Sequence, residues 1–176
     1  MKTAWNIAVN PLRFAAMRSY PVIALGLALL MAVLGGCATT PQASPAKDAD
    51  AKRFEPELRA AIIYLYRADV RGGVSTLWID NRLVGQTVSA TYFRVAVRPG
   101  RNVITASGSD LGRFELDTKA EGIYFVEMRV LGETESASTT IFRAVPPDAG
   151  KTFIAKCCAL LETWRPGQSR FGILGF

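Results

Sequence analysis

The chain has 176 residues, with 21 lysines and arginines against 15 aspartates and glutamates, three cysteines and no histidine. The lack of histidine removes the commonest general base, the commonest metal ligand and the usual triad partner of serine or cysteine. Residues 1–36 contain three of the basic residues and no acidic one. The remaining net charge of about +3 is too mild to predict nucleic-acid binding, which needs a clustered basic face.

An uninterrupted apolar run covers residues 22–34, and it ends in the tetrapeptide Leu34-Gly35-Gly36-Cys37. Basic residues before such a run and small residues at its end are typical of a secretory signal. The run is too short for a spanning helix, which needs about 20 apolar residues. The tetrapeptide resembles the lipobox of bacterial lipoproteins, and this resemblance implies a lipidated Cys37 with the peptide bond before it cut. The alternative is an N-terminal membrane helix with an incidental Cys37.

Three segments follow from this interpretation. Residues 1–36 are the predicted signal peptide, residues 37–57 a lipidated N-terminus with a flexible tether, and residues 58–176 the folded domain. The tether is rich in Ala, Thr, Pro, Ser, Lys and Asp without hydrophobic periodicity, and as a coil it would span on the order of 25 Å. In the lipoproteins it resembles, an aspartate after the lipidated cysteine favours the inner membrane. Ala38 therefore indicates the outer membrane, with the domain facing the periplasm.

Short apolar and β-branched runs separated by turn signals recur in the first part of the domain, as is typical of β-sandwiches and small barrels. The predicted strands cover residues 60–67, 75–79, 83–88, 92–97, 102–106, 113–116, 123–130 and 139–144. Asp80-Asn81 predicts a tight hairpin turn. Residues 98–101 are expected to turn the chain so that the next strand pairs back on the preceding one. Alternation predicts one buried face and one exposed arginine in residues 92–97; the buried residues are Phe93, Val95 and Val97, and the exposed one is Arg94.

After Pro146-Pro147, apolar residues recur at helical spacing. The predicted helical stripe consists of Phe153, Cys157, Leu161 and Trp164, with Ile154 and Leu160 beside it. Asp148 is the predicted N-cap, and residues 165–167 (Arg-Pro-Gly) the predicted end. The overall prediction is a mainly β fold: an antiparallel β-sandwich-like domain of about eight short strands with one C-terminal α-helix.

With Cys37 lipidated, the only other cysteines are the adjacent Cys157 and Cys158, from which no disulfide framework can be built. Three states compete in an oxidising compartment: a vicinal disulfide, an intermolecular bridge through Cys158, and two reduced thiols. A vicinal disulfide closes a strained ring that disfavours helical backbone. The expectation is therefore two reduced thiols shielded by packing.

Three stretches of the domain carry a family resemblance. They are residues 62–67 (IIYLYR), residues 77–85 (LWIDNRLVG) and residues 97–102 (VRPGRN). Together they resemble the bacterial lipoprotein domain known as domain of unknown function 2846, with a strand ending in Tyr-Arg, a glycine-bearing hairpin and a Pro-Gly turn. In this chain Asn81 stands where the family has glycine. The resemblance spans roughly residues 58–160 and implies the fold, with no activity.

Few residues suggest chemistry. Ser44 and Lys47 have the Ser-x-x-Lys spacing of some acyl enzymes, but they lie in the predicted tether, which cannot hold that geometry. The acidic residues lack the spacing of a calcium loop. No catalytic site, metal site or cofactor is therefore predicted. Aromatic side chains on the strands suggest a surface that binds a partner, and its expected members are Trp78 and Tyr92.

The predicted function is a non-catalytic interaction or structural module, tethered by lipid to the outer membrane and contacting another envelope protein or the cell wall. The alternative is an enzyme that acts on cell-wall or lipid material through serine, lysine or carboxylate groups. A third possibility is an accessory lipoprotein that alters membrane properties without one fixed partner. No nucleic-acid partner is expected.

Overall fold

The computed structural model describes residues 40–69, 73–108, 112–134 and 137–164. The chain divides into two units, residues 1–37 and residues 38–176, and every described residue belongs to the second. Within the described residues, no helix has the length and apolar character needed to cross a membrane.

The described unit is mainly β, with two sheets and a helix near its C-terminal end, and this confirms the predicted sandwich-like fold. The helices are α1 (Pro45–Ala51) and α2 (Pro147–Cys157). The strands are β1 (Ala61–Arg67), β2 (Ser75–Ile79), β3 (Arg82–Thr87), β4 (Thr91–Val97), β5 (Gly100–Ala106), β6 (Gly112–Thr118), β7 (Ile123–Leu131), β8 (Thr139–Val145) and β9 (Ala159–Leu160).

One sheet has the strand order β8-β7-β1-β4-β9, and the other has the order β3-β2-β5-β6. Most neighbouring strands are antiparallel, but β1 pairs in parallel with β7 and β4 pairs in parallel with β9. Strand β1 lies at the centre of the larger sheet, and all seven of its residues are buried. This explains its sequence, because a strand covered on both faces reads as a continuous apolar run instead of an alternating one.

Two apolar cores lie on the two faces of the larger sheet. The core between the sheets contains Ile63, Leu65, Leu77, Ile79, Val84, Phe93, Ile104, Ala106, Val126, Met128, Val130 and Leu161. The core on the outer face contains Ala43, Ala51, Ile62, Tyr64, Tyr66, Tyr92, Phe125, Ile154, Cys158 and Leu160. The outer core exists because both helices pack on that face.

The hairpin between β2 and β3 has the predicted turn. Asp80 and Asn81 have φ values of 49° and 61°, the two consecutive positive values of a type I′ turn. The Asp80 carboxylate also accepts the Val103 backbone N–H at 2.8 Å. The hairpin is therefore tied to β5, its neighbour on the other side of β2.

The predicted pairing of β5 on β4 is wrong, because the chain crosses to the other sheet between these strands. Strand β5 pairs with β2 and β6, whereas β4 pairs with β1 and β9. The Asn102 side-chain amide is buried at the crossing. It donates hydrogen bonds to the carbonyls of Arg98 and Gly100 and to the Thr118 hydroxyl, at 2.9–3.2 Å. These bonds satisfy the carbonyls of the crossing and link it to the end of β6.

The face prediction for β4 is correct for Phe93, which is fully buried, but Val95 and Val97 are only half-buried. The side chain of Arg94 is 25% exposed, and its guanidinium lies 2.8 Å from the Glu57 carboxylate. The prediction of an exposed Arg94 is wrong because residues 54–57 cover this face of the sheet.

The described part of the predicted tether, residues 40–57, is folded. Ser44 is the N-cap of α1, accepting the Lys47 backbone N–H at 3.3 Å, and Pro45 occupies the first helical turn. The Tyr64 hydroxyl donates a 2.6 Å hydrogen bond to the carbonyl of Ala51, which is buried. A helix of seven residues is too short to be stable alone; packing on the outer face of the sheet stabilises it.

The C-terminal helix is shorter than predicted and presents a different face. It ends at Cys157, so Leu161 and Trp164 lie beyond it, and Pro146 is the N-cap in place of Asp148. Its buried residues are Gly150 and Ile154, whereas Phe153 is 37% exposed. The predicted stripe was misplaced because its last two members belong to the chain after the helix.

The structure joins Cys157 and Cys158 in a vicinal disulfide instead of two shielded thiols. Cys157 is exposed, and Cys158 is buried in the outer core. The backbone of Cys158 is extended, with φ −123° and ψ 144°. A vicinal disulfide ring disfavours helical backbone at both cysteines. Here the helix ends at Cys157, so Cys158 is free to adopt the extended backbone.

Candidate binding groove

The two sheets meet closely along one side. The rings of Phe114 on β6 and Phe142 on β8 lie 6.2 Å apart between centroids. The hydroxyls of Ser75 and Thr140 are 3.3 Å apart. This side of the sandwich, between β6 and β8, is closed by side chains and is called the closed side below.

The opposite side, between β3 and β4, is bridged by two segments from the ends of the described chain. Residues 40–43 and 159–164 run antiparallel to each other and together form the terminal strap. Its hydrogen bonds join the Ala43 N–H to the Leu160 carbonyl at 2.8 Å and the Glu162 N–H to the Pro41 carbonyl at 2.9 Å. The strap therefore covers an edge that the strands themselves leave open.

The strap also forms two hydrogen bonds with the free edge of β3. The Gln86 N–H donates to the Thr40 hydroxyl at 2.7 Å, and the Trp164 N–H donates to the Val84 carbonyl at 2.8 Å. Exposed strand edges invite unwanted pairing with other chains. Because both ends of the described chain cap the β3 edge, the two ends lie close together on the same side of the domain.

Beside the strap, between the hairpin and the second half of β4, lies a groove of about 550 Å³. Its apolar wall includes Leu83, Val84, Val95, Val97 and Trp164. Its charged residues are Arg82, Arg94, Arg98 and Asp80. The groove is therefore a cationic cleft with an apolar lining.

The charges of the groove differ in how they are compensated. Arg94 is paired with Glu57, and Asp80 is engaged by a backbone N–H of β5. Arg82 and Arg98 are exposed and have no ion-pair partner among the described residues. The buried indole Nε1 of Trp164 likewise has no hydrogen-bond partner within the described ranges. The two unpaired guanidinium groups make this groove suited to an anionic ligand.

The two predicted surface aromatics do not form one surface. Tyr92 is fully buried in the outer core, and its hydroxyl donates to the Asp48 carboxylate at 3.0 Å. Burial and the nearby carboxylate raise the pKa of Tyr92 above its ordinary value. Trp78 is half-buried and belongs to the other sheet. The prediction for Tyr92 is wrong because α1 and β9 cover that face. Cys37 lies outside the described residues.

Ser44 and Lys47 have structural roles. The Ser44 hydroxyl caps α1, and the Lys47 ammonium lies 2.6 Å from the Glu162 carboxylate of the strap. The pair therefore ties α1 to the strap. Among the residues that the structure describes, no cluster of three metal-ligating side chains occurs.

Two further polar clusters are also structural. Arg67 is fully buried, paired with Asp69, and donates to the carbonyls of Gly73 and Thr87 at 2.8 and 3.1 Å. The Glu127 carboxylate lies 2.8 Å from the guanidinium of Arg129 on β7 and 2.6 Å from that of Arg143 on β8. Its burial alone would raise the pKa of Glu127, but the hydrogen bonds from these arginines hold it below the ordinary value. These clusters connect strands.

Arg82, Arg98 and Trp164 were not predicted as a site. They belong to three separate stretches of sequence, and only the crossing of the chain between β4 and β5 and the path of the strap bring them together. The available signal was local: Arg82 follows the Asp80-Asn81 turn, and Arg98 begins the Arg-Pro-Gly-Arg segment after β4.

Comparison of the chain with models of protein families, with curated proteins and with solved structures found no match.

Proposed function

We propose that this chain is a lipid-anchored protein of the cell envelope, held at the periplasmic face of the outer membrane, with a non-catalytic interaction or structural domain. The observation that carries the proposal is the tetrapeptide Leu34-Gly35-Gly36-Cys37 at the end of an apolar run. Multiple acyl chains on Cys37 give stable attachment, because one chain alone binds only marginally and each buried CH₂ contributes about 0.8 kcal/mol.

The geometry of the domain supports an interaction role. Its serine–lysine pair is used in a helix cap and an ion pair with the strap, so neither group is arranged as a nucleophile and its base. Its open cleft presents unpaired arginines beside an apolar wall. Such a cleft binds anions through charge and hydrogen bonds, and it requires no chemical step.

The anchor is tested by substituting Cys37 in the full-length chain. Cys37→Ser removes the thiol that accepts the lipid, whereas Gly36→Ala is the matched control because it keeps a small residue before the cut. In cells grown with a labelled fatty acid, wild-type and Gly36→Ala chains should carry label and fractionate with the outer membrane. Cys37→Ser should carry none. Equal labelling of the Cys37→Ser chain would refute the anchor.

A further inference from the structure

The described chain begins at the edge of β3, the strand that also lines the groove. Only residues 38 and 39 separate Cys37 from Thr40, which is already bonded to the free edge of β3. Three residue steps of fully extended chain reach about 10 Å. Trp164 is bonded to the same edge, at Val84. A lipid on Cys37 therefore holds the β3 edge close to the bilayer, where a flexible tether would have held it away.

The charge on this side of the domain fits an anionic surface. Arg82 begins β3, four residues from Gln86, so it lies about 13 Å along the strand from the bond to Thr40. Arg98 faces the same groove from the end of β4. Both side chains are exposed and lack an ion-pair partner among the described residues. A planar guanidinium is well matched to the oxygens of a phosphate.

The composition of the segment that follows Trp164 also suits contact with an anionic membrane. Residues 165–176 contain two arginines and no aspartate or glutamate, with Phe171, Ile173, Leu174 and Phe176 as apolar members. Two more positive charges would be repelled by a cationic groove, so this segment is a poor occupant for it. Basic and apolar residues together are instead suited to the membrane interface.

We propose that the β3 side of the domain rests on the bilayer that holds the anchor, with Arg82 and Arg98 binding the headgroup phosphates of anionic phospholipids. The inference rests on the proposed function, because a lipid on Cys37 is what brings this side to the membrane. The groove is then a second, electrostatic contact with the same surface, and it fixes the orientation of the domain.

The groove is tested without the anchor, on a chain of residues 38–176. Every residue of both apolar cores lies within that range, so this chain keeps its whole folded interior. Its partition onto phosphatidylcholine vesicles is compared with its partition onto vesicles that also contain phosphatidylglycerol. We expect binding only to the anionic vesicles, decreasing as salt is added, because screening shortens the reach of surface charge.

The decisive comparison uses two double variants with the same change in net charge. Arg82→Gln with Arg98→Gln removes the groove charges. Arg113→Gln with Arg129→Gln removes two exposed arginines of β6 and β7, 59% and 58% exposed, neither of which lines the groove. One arginine near an anionic surface changes the partition coefficient about fivefold. The groove variant should therefore bind about 25-fold more weakly, and the control should stay within about twofold of the wild type.

Equal loss of binding in both double variants would show a general charge effect and overturn the inference. Equal binding to the two kinds of vesicle would overturn it as well.

A chain ending at Trp164 adds a third comparison. Weaker binding is expected, and stronger binding would show that residues 165–176 occupy the groove instead. Acylation of Cys37 is measured separately on the full chain. An unmodified Cys37 would contradict the lipid anchor and leave the groove contact untouched. An acylated Cys37, together with unchanged vesicle binding of the groove variant, would contradict only the groove contact.

Discussion

Asp48 is the residue that connects α1 to the rest of the domain. One carboxylate oxygen accepts the Leu160 backbone N–H at 2.9 Å and the Tyr92 hydroxyl at 3.0 Å. The other lies 2.7 Å from the Lys52 ammonium. Burial alone would raise the pKa of Asp48, but these hydrogen bonds and the lysine charge outweigh it and hold the pKa below the ordinary value. The ionised form is therefore the one that the fold stabilises.

We expect Asp48→Asn to destabilise the domain by about 1–2 kcal/mol at neutral pH, because an amide cannot serve all three donors as a charged acceptor does. A lowered folded-state pKa contributes stability that is complete above the unfolded value, about 3.9, and is lost as the pH falls through the folded value. The difference between wild type and variant in urea denaturation should therefore shrink when the pH falls below about 4.

Asp50→Asn is the matched control on the same helix. Asp50 is 66% exposed and paired with Arg53, and exposed pairs contribute about 0–1 kcal/mol. A deficit of Asp48→Asn that stayed constant down to low pH, or one no larger than that of Asp50→Asn, would contradict the role assigned to Asp48.

Among the secondary-structure elements, α2 packs on the larger sheet through two residues, Gly150 and Ile154. A Cβ placed on Gly150 would lie 2.6 Å from the Cβ and Cδ1 atoms of Phe125 on β7. Only glycine allows this approach without displacing the ring. One turn later, Ile154 is fully buried in the outer core. The helix therefore docks through the face that contains these two residues.

Because the helix docks through this face, truncating the smaller Ile154 should cost more stability than truncating the larger Phe153. Ile154→Ala should lower the free energy of unfolding by about 2–4 kcal/mol, through lost burial and a cavity. Phe153→Ala removes a larger side chain, but this ring is 37% exposed and packs only at its inner side, 5.0 Å from the Tyr66 ring centroid. Its cost should be smaller. Denaturation midpoints in which Phe153→Ala is the more damaging change would restore the stripe predicted from sequence.

The elements that sequence predicted correctly are those whose cause is local. The β2–β3 hairpin depends on Asp80 and Asn81, two adjacent residues that accept positive φ. Strand β5 lies in the other sheet, where it pairs with β2 and β6, and the Asn102 amide links the crossing to β6. Pattern alone cannot tell a turn within one sheet from a crossing between two, because both need the same turn residues.

At the scale of the whole molecule, residues 40–57 are part of the domain. Composition suggested a tether because the segment lacks apolar periodicity, yet Ala43 and Ala51 belong to the outer core and Phe54 packs against it. A usable signal was present: Ser44-Pro45 is a favourable N-cap followed by proline in the first turn. Alanine is a weak signal of burial in the sequence because each small side chain buries little area.

Truncation distinguishes a flexible tether from a folded part of the domain in residues 40–57. A chain beginning at Leu58 should be less stable than one beginning at Ala38 by at least about 3 kcal/mol, since it uncovers Tyr64 and Tyr92, which are fully buried. Exposed aromatic surface should also increase dye binding. Coincident urea denaturation curves for the two chains would show that the segment is a tether after all.

The candidate groove was less predictable than the fold. In the sequence, Arg82 and Arg98 have the pattern of ordinary solvated charges, and helical spacing places Trp164 in the predicted helix. Their common position in one groove comes from the strap, which carries Trp164 to the β3 edge, and from the side of the sandwich that the strands leave open. Only two residues, Ala38 and Thr39, separate Cys37 from Thr40, which is bonded to this edge.

The most direct test of the lipid anchor is the intact mass of the wild-type protein purified from the envelope. The mass should equal that of a chain beginning at Cys37 plus its acyl groups, and proteolysis should place the added mass on the peptide that contains Cys37. A protein that still carries residues 1–36, with Cys37 unmodified, would contradict the anchor.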